Sequence, residues 1–478
     1  MPCGEGANSR KPSGHGGIFC LILSTRSRGP LKRTELLLRF YPSSVYVINE
    51  FRRLCSQHFG ITESQIVQVT QSKHAPRVQT MTARMPNYHK ILLGEKAEIQ
   101  YHLAGYGVYR EEALIRLLGE GIERYALITA AAALRKRLFK ASYNDLKSES
   151  NVMPWELINI FTDKDYERMR GKMIFRSITP DEQISWIWCP SLFKPGKDIC
   201  IPAQCLFTGL RFEDEIPFMT AFSKGCASHT VPKLALRTAL LEAVEADALM
   251  IRWFTRTKSR RVILDDPILR DMIAEIFSDL HVEIVPYEYT MPGMPGHAFG
   301  VAVLSKGTER PTVLLGTGAG LNPGATLYRT LIEAVAIFYM GYNGPALQPR
   351  DYLTDIDEHS HTNLDSNVAY WARAEDGDSK RATMRNMAEG EVTLSTLKDY
   401  RSTIDEELDY ILGELKNISS YAVHLDITPP ELQHTDWSVA RVFFPEMVQV
   451  SLPSFPYGAH PRLLQFGGIR NPLPHPSP

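Results

Sequence analysis

Glu120 and Glu123 stand three residues apart, and so do Glu242 and Glu245, each pair inside an otherwise apolar stretch. Spacing i, i+3 puts both carboxylates of a pair on one face of a helix, where they repel. A surface helix relieves such a pair with Lys or Arg one turn away. Around Glu242 those positions hold Thr238, Ala239, Glu245 and Ala246; around Glu245 they hold Leu241, Glu242, Ala248 and Leu249. No cation is within helical reach, and unpaired carboxylates on so apolar a helix are costly to bury. Something positive from elsewhere should face them. A divalent cation with bound phosphate is one candidate, because hard cations take carboxylate oxygens and share their other sites with water and phosphates. An Arg from another segment, or exposure to water, is the alternative. Glu120 differs, since Arg116 and Arg124 at i±4 explain it as a structural ion pair.

The elements that carry these groups share one layout. Residues 112–124, 234–247 and 325–336 align on Glu120, Glu242 and Glu333 as three apolar helices, each interrupted by a carboxylate. Each follows a small-residue stretch: Gly105-Tyr106-Gly107, residues 223–230, and residues 316–323. These read as turns, whose backbone amides bind phosphate in some proteins and serve as plain tight turns in others. Strand-like runs at 198–201, 261–264, 282–285, 298–304 and 312–315 alternate with the helices, so the fold class is α/β (α+β mixed), with repeated helix–strand units.

Residues 346–400 read as a charged loop or lid with two acidic clusters, the first of Asp355, Asp357 and Glu358, the second of Glu375, Asp376 and Asp378. A helix is expected over 398–416 and strands at 422–427 and 440–444. Upstream, residues 1 to about 30 lack periodicity, strands are expected at 36–40 and 44–48, and a helix at 49–59. The C-terminus, Pro474-His475-Pro476-Ser477-Pro478, excludes helix and strand interior and reads as extended polyproline II, or as a disordered end.

Composition limits the function classes. With 53 Lys+Arg against 54 Asp+Glu, the surface as a whole is no electrostatic match for nucleic acid or anionic lipid. Seven scattered cysteines without a Cys-x-x-Cys pair indicate neither a disulfide framework nor a four-thiolate zinc site. No run approaches the ~18 apolar residues of a membrane span. The expectation is a reduced, cytoplasmic, globular protein. His102 and His229 fit structural histidines better than general bases.

Taken together, the motifs resemble the YcaO family, and within it the azoline-forming cyclodehydratases of ribosomal peptide (RiPP) and bacteriocin biosynthesis. That family's nucleotide site is marked by Ser-x3-Glu-x2-Glu-Arg, Ser-x3-Glu-x2-Glu and Gln-x3-Arg. Arg116, Glu120, Glu123 and Arg124 look like the first, and Thr238, Glu242 and Glu245 like the second. Residues 223–229 are similar to the lead-in to the second motif. Residues 425–428 and 439–445 resemble the C-terminal strand pair, and Gly458-Ala459-His460-Pro461-Arg462 with the Pro-x-Pro-x-Pro end resembles the close of cyclodehydratase members. The likeness covers 85–478 and leaves 1–84 as a divergent, partly disordered region. Departures are Arg116 for Ser, Tyr106 for a lead-in Lys, Ala246 for Arg, and Ala336 and Met340 for the third motif's Gln and Arg.

The resemblance implies ATP-dependent closure of thiazolines or oxazolines from Cys, Ser or Thr of a precursor peptide, by phosphorylation of the backbone amide oxygen. It implies ATP and Mg2+ as cofactors, with Glu120, Glu123, Glu242 and Glu245 holding about two or three ions. Arg124 would contact phosphate or orient a Glu, Thr238 would bond nucleotide or a Glu, and Arg116 and Arg329 would replace missing cationic contacts. Pro474, Pro476 and Pro478 would carry the terminal carboxylate to the reacting amide. Implied partners are the precursor peptide, a leader-binding protein, a flavin-dependent azoline dehydrogenase and a second copy of the chain, with no nucleic acid and no membrane. The departures leave other YcaO chemistry (thioamide or amidine formation) and a catalytically weak YcaO-like scaffold open.

Overall fold

The computed structural model of the 478-residue chain describes residues 49–50, 53–55, 60–62, 67–68, 75–94, 103–208, 215–307, 309–347, 361–362 and 364–477. The strands expected at 36–40 and 44–48, the first acidic cluster, His102 and Pro478 lie outside these residues, as does most of the helix expected at 49–59.

Four sheets organise the described residues. The first holds β1 (Val67–Gln68), β2 (Gln79–Ala83) and β3 (Leu103–Gly107), all antiparallel. A second holds β4 (Phe139–Ala141), β5 (Ile184–Pro190) and β6 (Asp198–Pro202). A third sets β14 (Ser438–Phe443) between β13 (Val423–Asp426) and β7 (Cys226–His229). The largest has the order β11-β10-β9-β8-β12, from β8 (Ser259–Ile263), β9 (Val282–Glu288), β10 (His297–Ser305), β11 (Val313–Gly320) and β12 (Ala388–Thr393). Only its β8–β12 pair is parallel.

The three glutamate-bearing segments are long helices, as their apolar periodicity requires: α1 (Arg110–Ala133), α4 (Pro232–Thr255) and α6 (Pro323–Leu347). Glu111 and Glu112 in the first turn of α1 suit its positive end. Pro232 opens α4 where its missing N–H costs nothing. Asn322 Oδ1 accepts the amide of Ala325 at 2.8 Å as α6 begins. The remaining helices are α2 (Tyr143–Leu146), α3 (Asp163–Met169), α5 (Pro267–Ile276), α7 (Leu364–Ala372), α8 (Gly377–Arg385), α9 (Ile404–Leu415) and α10 (Pro461–Gln465). The main core gathers Trp186, Trp253, Trp371 and the apolar faces of α1, α4 and β14; a second fills the space between α6 and the large sheet.

Two of the expected turns are strands. Gly105 and Gly107 belong to β3, and Gly316, Gly318 and Gly320 to β11. The glycines are there for close approach. A Cβ on Gly105 would lie 1.8 Å from the carbonyl oxygen of Ala113 on α1, and one on Gly316 would lie 2.4 Å from the amide nitrogen of Ala334 on α6. Only the stretch before α4 keeps a turn, at Ser223 to Gly225, ahead of β7. The expected loop over 346–400 is also corrected where it is described, since α7, α8 and β12 occupy much of 364–393. The second acidic cluster there is an ordinary surface: Glu375 pairs with Arg310, and Asp378 with Arg381.

Candidate active site

Packing brings the three helices to one place. α1 and α6 both lie against β3, while α4 packs on β7, β14 and β11. Three side chains fix their registers. Tyr328 of α6 donates to buried Glu112 of α1 (3.2 Å), Ser228 of β7 donates to the carbonyl of Gly119 (2.7 Å), and Thr317 of β11 donates to Glu245 Oε1 (2.6 Å). Gly119 directly precedes Glu120, so the β7 contact positions the first carboxylate.

Five carboxylates face one another there: Glu120, Glu123, Glu242, Glu245 and Glu333. Arg124 bridges Glu123 (2.7 Å) and Glu120 (3.3 Å), and the Ala104 amide donates to Glu120 (2.8 Å). Lys224 pairs with Glu245 at 2.7 Å. Glu242 and Glu333 have no ion-pair partner among the described residues. Burial pushes Glu242 up to about 8, with Glu123 adding the largest repulsion, so the first and second motifs lie within electrostatic range of each other. Burial likewise raises Glu123 and Glu333 to about 7, with Glu120 adding to the first and Glu245 and Glu242 to the second. Carboxylates that burial and mutual repulsion hold above their usual range are a donor set that a divalent ion fits.

A positive face adjoins this negative one. Burial lowers the Arg329 guanidinium to about 10, and the neighbouring charges of Arg116 and Arg237 push the same way. Arg116 is spent on Glu112 (2.8 Å) and Arg237 on Glu407. Arg329 donates to the carbonyl of Ala319 (3.2 Å) and makes no ion pair among the described residues. The expected Arg116–Glu120 pair is therefore not formed, because Glu112 on the same helix face is fully buried and claims the guanidinium. Thr238 is half-buried, with no side-chain hydrogen bond among the described residues. Tyr106, where the resemblance leads one to expect Lys, is half-buried beside Arg116, and the cluster's ammonium comes from Lys224 instead.

The C-terminal tail is neither loose nor exposed. Its carbonyls are gripped in order: Leu473 by the Trp253 indole N–H (3.0 Å), Pro474 by that of Trp371 (2.9 Å), His475 and Ser477 by the Asn367 amide (2.5 and 2.8 Å). His475 is fully buried, donates to the carbonyl of Ser451 (2.9 Å), and has its pKa lowered by burial to about 4. Pro474 and Pro476 are buried in this strip, so among the described residues their visible task is to shape the tail. A cavity of about 300 Å³ opens near the tail's root, lined by Arg252, Arg256, Lys258 and Asn471 among others. No carboxylate lines it, and it is separate from the glutamates.

Sequence reasoning missed Glu333, Lys224 and Arg237. Glu333 was visible in the helix repeat but lacks a second Glu three residues on. Lys224 and Arg237 reach the site through tertiary packing, which spacing along one helix does not report. Among the described residues no three His, Cys, Asp or Glu side chains close into a metal cage by themselves. His229 is structural, its Nδ1 accepting the amide of Val231 at the start of α4 (2.9 Å).

The chain is similar to known proteins in family and in fold. A family model described as "YcaO cyclodehydratase, ATP-ad Mg2+-binding" matches residues 104–448. No curated protein matches the sequence. Among solved structures, a heterocyclase in complex with substrate and cofactor is similar at 17% identity and a TM-score of 0.68, covering 90% of this chain and 56% of that one. YcaO from Methanopyrus kandleri bound with AMPPCP and Mg2+ is similar at 13% identity and 0.56, covering 84% and 90%. The E. coli microcin synthetase McbBCD complex is similar at 13% and 0.52, covering 80% and 88%. At these identities the likeness shows the fold, and this chain spans only 56% of the heterocyclase's length.

Proposed function

The chain belongs to the YcaO family, and we propose that it is an ATP-dependent peptide cyclodehydratase closing Cys, Ser or Thr of a ribosomal precursor peptide into azolines. ATP and Mg2+ are the family's ligands. The observation that carries the reading is the pairing of opposite needs in one site, since Glu242 and Glu333 make no ion pair and stay above the usual carboxylate range despite the charge of Lys224, while Arg329, within reach of Glu333 and Glu245, makes no ion pair either among the described residues. A magnesium triphosphate answers both.

In this reading Glu120, Glu123, Glu242, Glu245 and Glu333 hold Mg2+ directly or through water. Arg329, flanked by Arg116 and Arg237, meets phosphate oxygens. Bound Mg2+ supplies charge neutralisation on the phosphates. The chain's own residues do the positioning. Arg124 keeps Glu120 and Glu123 in place, Thr317 holds Glu245, and Tyr328 with Glu112 locks α6 to α1, which sets Arg329 and Glu333 against the first motif. Thr238 stands ready to bond nucleotide or a Glu.

For the peptide, the side-chain sulfur or oxygen attacks the preceding carbonyl carbon and loses its proton. The carbonyl oxygen takes the γ-phosphoryl group of ATP, giving ADP. It then leaves as phosphate when the amide nitrogen loses its proton and the C=N bond forms. Hydroxide is a poor leaving group and phosphate a good one, so catalysis reduces to placement and charge stabilisation. Pro474, Pro476 and Pro478 are proposed to set the terminal carboxylate by the reacting amide, a task helped by the tail's anchoring on Trp253, Trp371 and Asn367. The proposed partners are the precursor, a leader-binding protein, a second copy of the chain and a flavin-dependent dehydrogenase acting afterwards, in the cytoplasm where ATP is supplied.

The test incubates the protein with ATP, Mg2+, a leader-binding partner and a candidate precursor. Mass spectrometry should show loss of one water per ring, with ADP and phosphate formed in step. Peptide binding without nucleotide turnover would favour a second reading, a YcaO-like scaffold. That reading draws on Met340, which packs in the core where an arginine is expected.

A further inference from the structure

Lys224 is the ammonium at the centre of the carboxylate cluster, and it does not come from any of the three glutamate helices. It sits on the turn between Ser223 and Gly225, and the fold holds that turn rigidly. The Cys226 amide donates to the carbonyl of Ser223 (2.9 Å), closing it. Buried Arg441 of β14 donates to the carbonyls of Lys224 (2.7 Å) and Ser223 (3.3 Å), fixing its backbone from the neighbouring strand. Gly225 has φ +86, and a Cβ there would lie 2.7 Å from the carbonyl oxygen of Val442, so glycine alone fits. The side chain extends from this fixed base to Glu245 Oε1 at 2.7 Å. Its charge also acts on Glu242, Glu333, Glu123 and Glu120.

Thr317 donates to the same Oε1, so both protein donors fall on one oxygen of Glu245 and leave Oε2 open. The arrangement is that of a cation position with a ligand side still available. A surface lysine that merely neutralised a carboxylate would need neither the pinned turn nor the shared oxygen.

We propose that Lys224 is a resident cation of the site: its ammonium takes one position that a divalent ion would otherwise fill, so the five glutamates recruit one Mg2+ fewer with the nucleotide. The inference rests on reading the cluster as the Mg2+–nucleotide site. It gives Lys224 a positioning role, holding Glu245 and the α4 face in place before nucleotide arrives.

The experiment compares the full chain with Lys224→Met and Lys224→Arg. Mn2+ bound per protein, in the presence of a non-hydrolysable ATP analogue, is counted by electron paramagnetic resonance. Thermal unfolding is recorded in chelator and in Mn2+. Lys224→Met should bind one additional Mn2+ per nucleotide site, unfold at lower temperature in chelator, and regain that loss when Mn2+ is added. Lys224→Arg should keep the wild-type count. If Lys224→Met does not fold, Lys224→Gln gives the same comparison without the charge. An unchanged Mn2+ count in the neutral variants, or weaker nucleotide binding with no gain in Mn2+, overturns the proposal. A wild-type protein that binds no Mn2+ with the analogue overturns the site reading itself.

Discussion

Glu242 is a half-buried carboxylate without an ion-pair partner among the described residues, and the chain tolerates it in its apolar surroundings by keeping it partly protonated. Replacing it by Gln should therefore stabilise the nucleotide-free protein at pH 8 in chelator, while weakening Mg2+-dependent nucleotide binding by about tenfold or more. Calorimetric titration and thermal unfolding of one variant check both signs. Arg124→Ala should do the opposite to the empty protein. It strips two carboxylates of their cation and should cost about 2 kcal/mol, the full penalty of a broken buried pair being reduced by partial exposure; urea unfolding measures it. The glutamate pairs were legible in the sequence because i, i+3 is a local relation. Glu333 was legible only as a repeat, and Lys224 only as part of the lead-in at 223–229 with no role of its own, since its turn meets α4 through tertiary packing rather than through helical spacing.

At the scale of elements, the three helices and most strands could be read from periodicity, and the misreadings have one cause. Glycine clusters signal turns when local conformation decides, but in β3 and β11 tertiary contact decides. The helix above each strand sits so close that no side chain fits. Gly316→Ala would place a Cβ 2.4 Å from the Ala334 amide nitrogen and 2.5 Å from the Thr330 carbonyl oxygen, backbone atoms that cannot rotate away. It should cost about 1–3 kcal/mol and shift α6, weakening nucleotide binding through Glu333 and Arg329 although residue 316 touches neither ligand. Urea midpoints and nucleotide titration test the two effects together. The tail shows the reverse error of emphasis. Its prolines exclude helix and strand, yet its carbonyls are bound by Trp253, Trp371 and Asn367. Deleting 471–478 should expose both indoles, red-shift their fluorescence and lower the unfolding temperature, as well as abolish ring formation.

Across the whole molecule, two sets of buried groups pull stability in opposite directions with pH. Glu123, Glu242 and Glu333 have folded pKa values of about 7, 8 and 7, above the unfolded value of 4.5, so the native state holds protons that the unfolded chain releases. Without divalent ions, their contribution falls as pH rises from about 4.5 through 7 to 8. His460 and His475 are lowered from 6.5 to about 4, so their contribution is whole above 6.5 and lost as pH falls toward 4. The two windows overlap between about pH 4.5 and 6.5 and partly cancel there, so in chelator the unfolding temperature should fall most clearly above pH 6.5, where only the carboxylates still titrate. Mg2+ with nucleotide should raise it mainly on the alkaline side, where the carboxylates ionise to receive the metal. Equal rises at pH 5.5 and pH 8.5 would place the ligands elsewhere. No helix among the described residues is long and apolar enough to cross a membrane.

The central claim is that carboxylates from α1, α4 and α6 jointly hold metal-bound nucleotide. It is tested most directly by a crystal structure grown with Mn2+ and a non-hydrolysable ATP analogue, with anomalous data locating the manganese. Peaks among Glu123, Glu242 and Glu333, with the phosphates turned toward Arg329, are the predicted result. Manganese and nucleotide bound away from these residues, with Glu242 and Glu333 still without a cation, would contradict it.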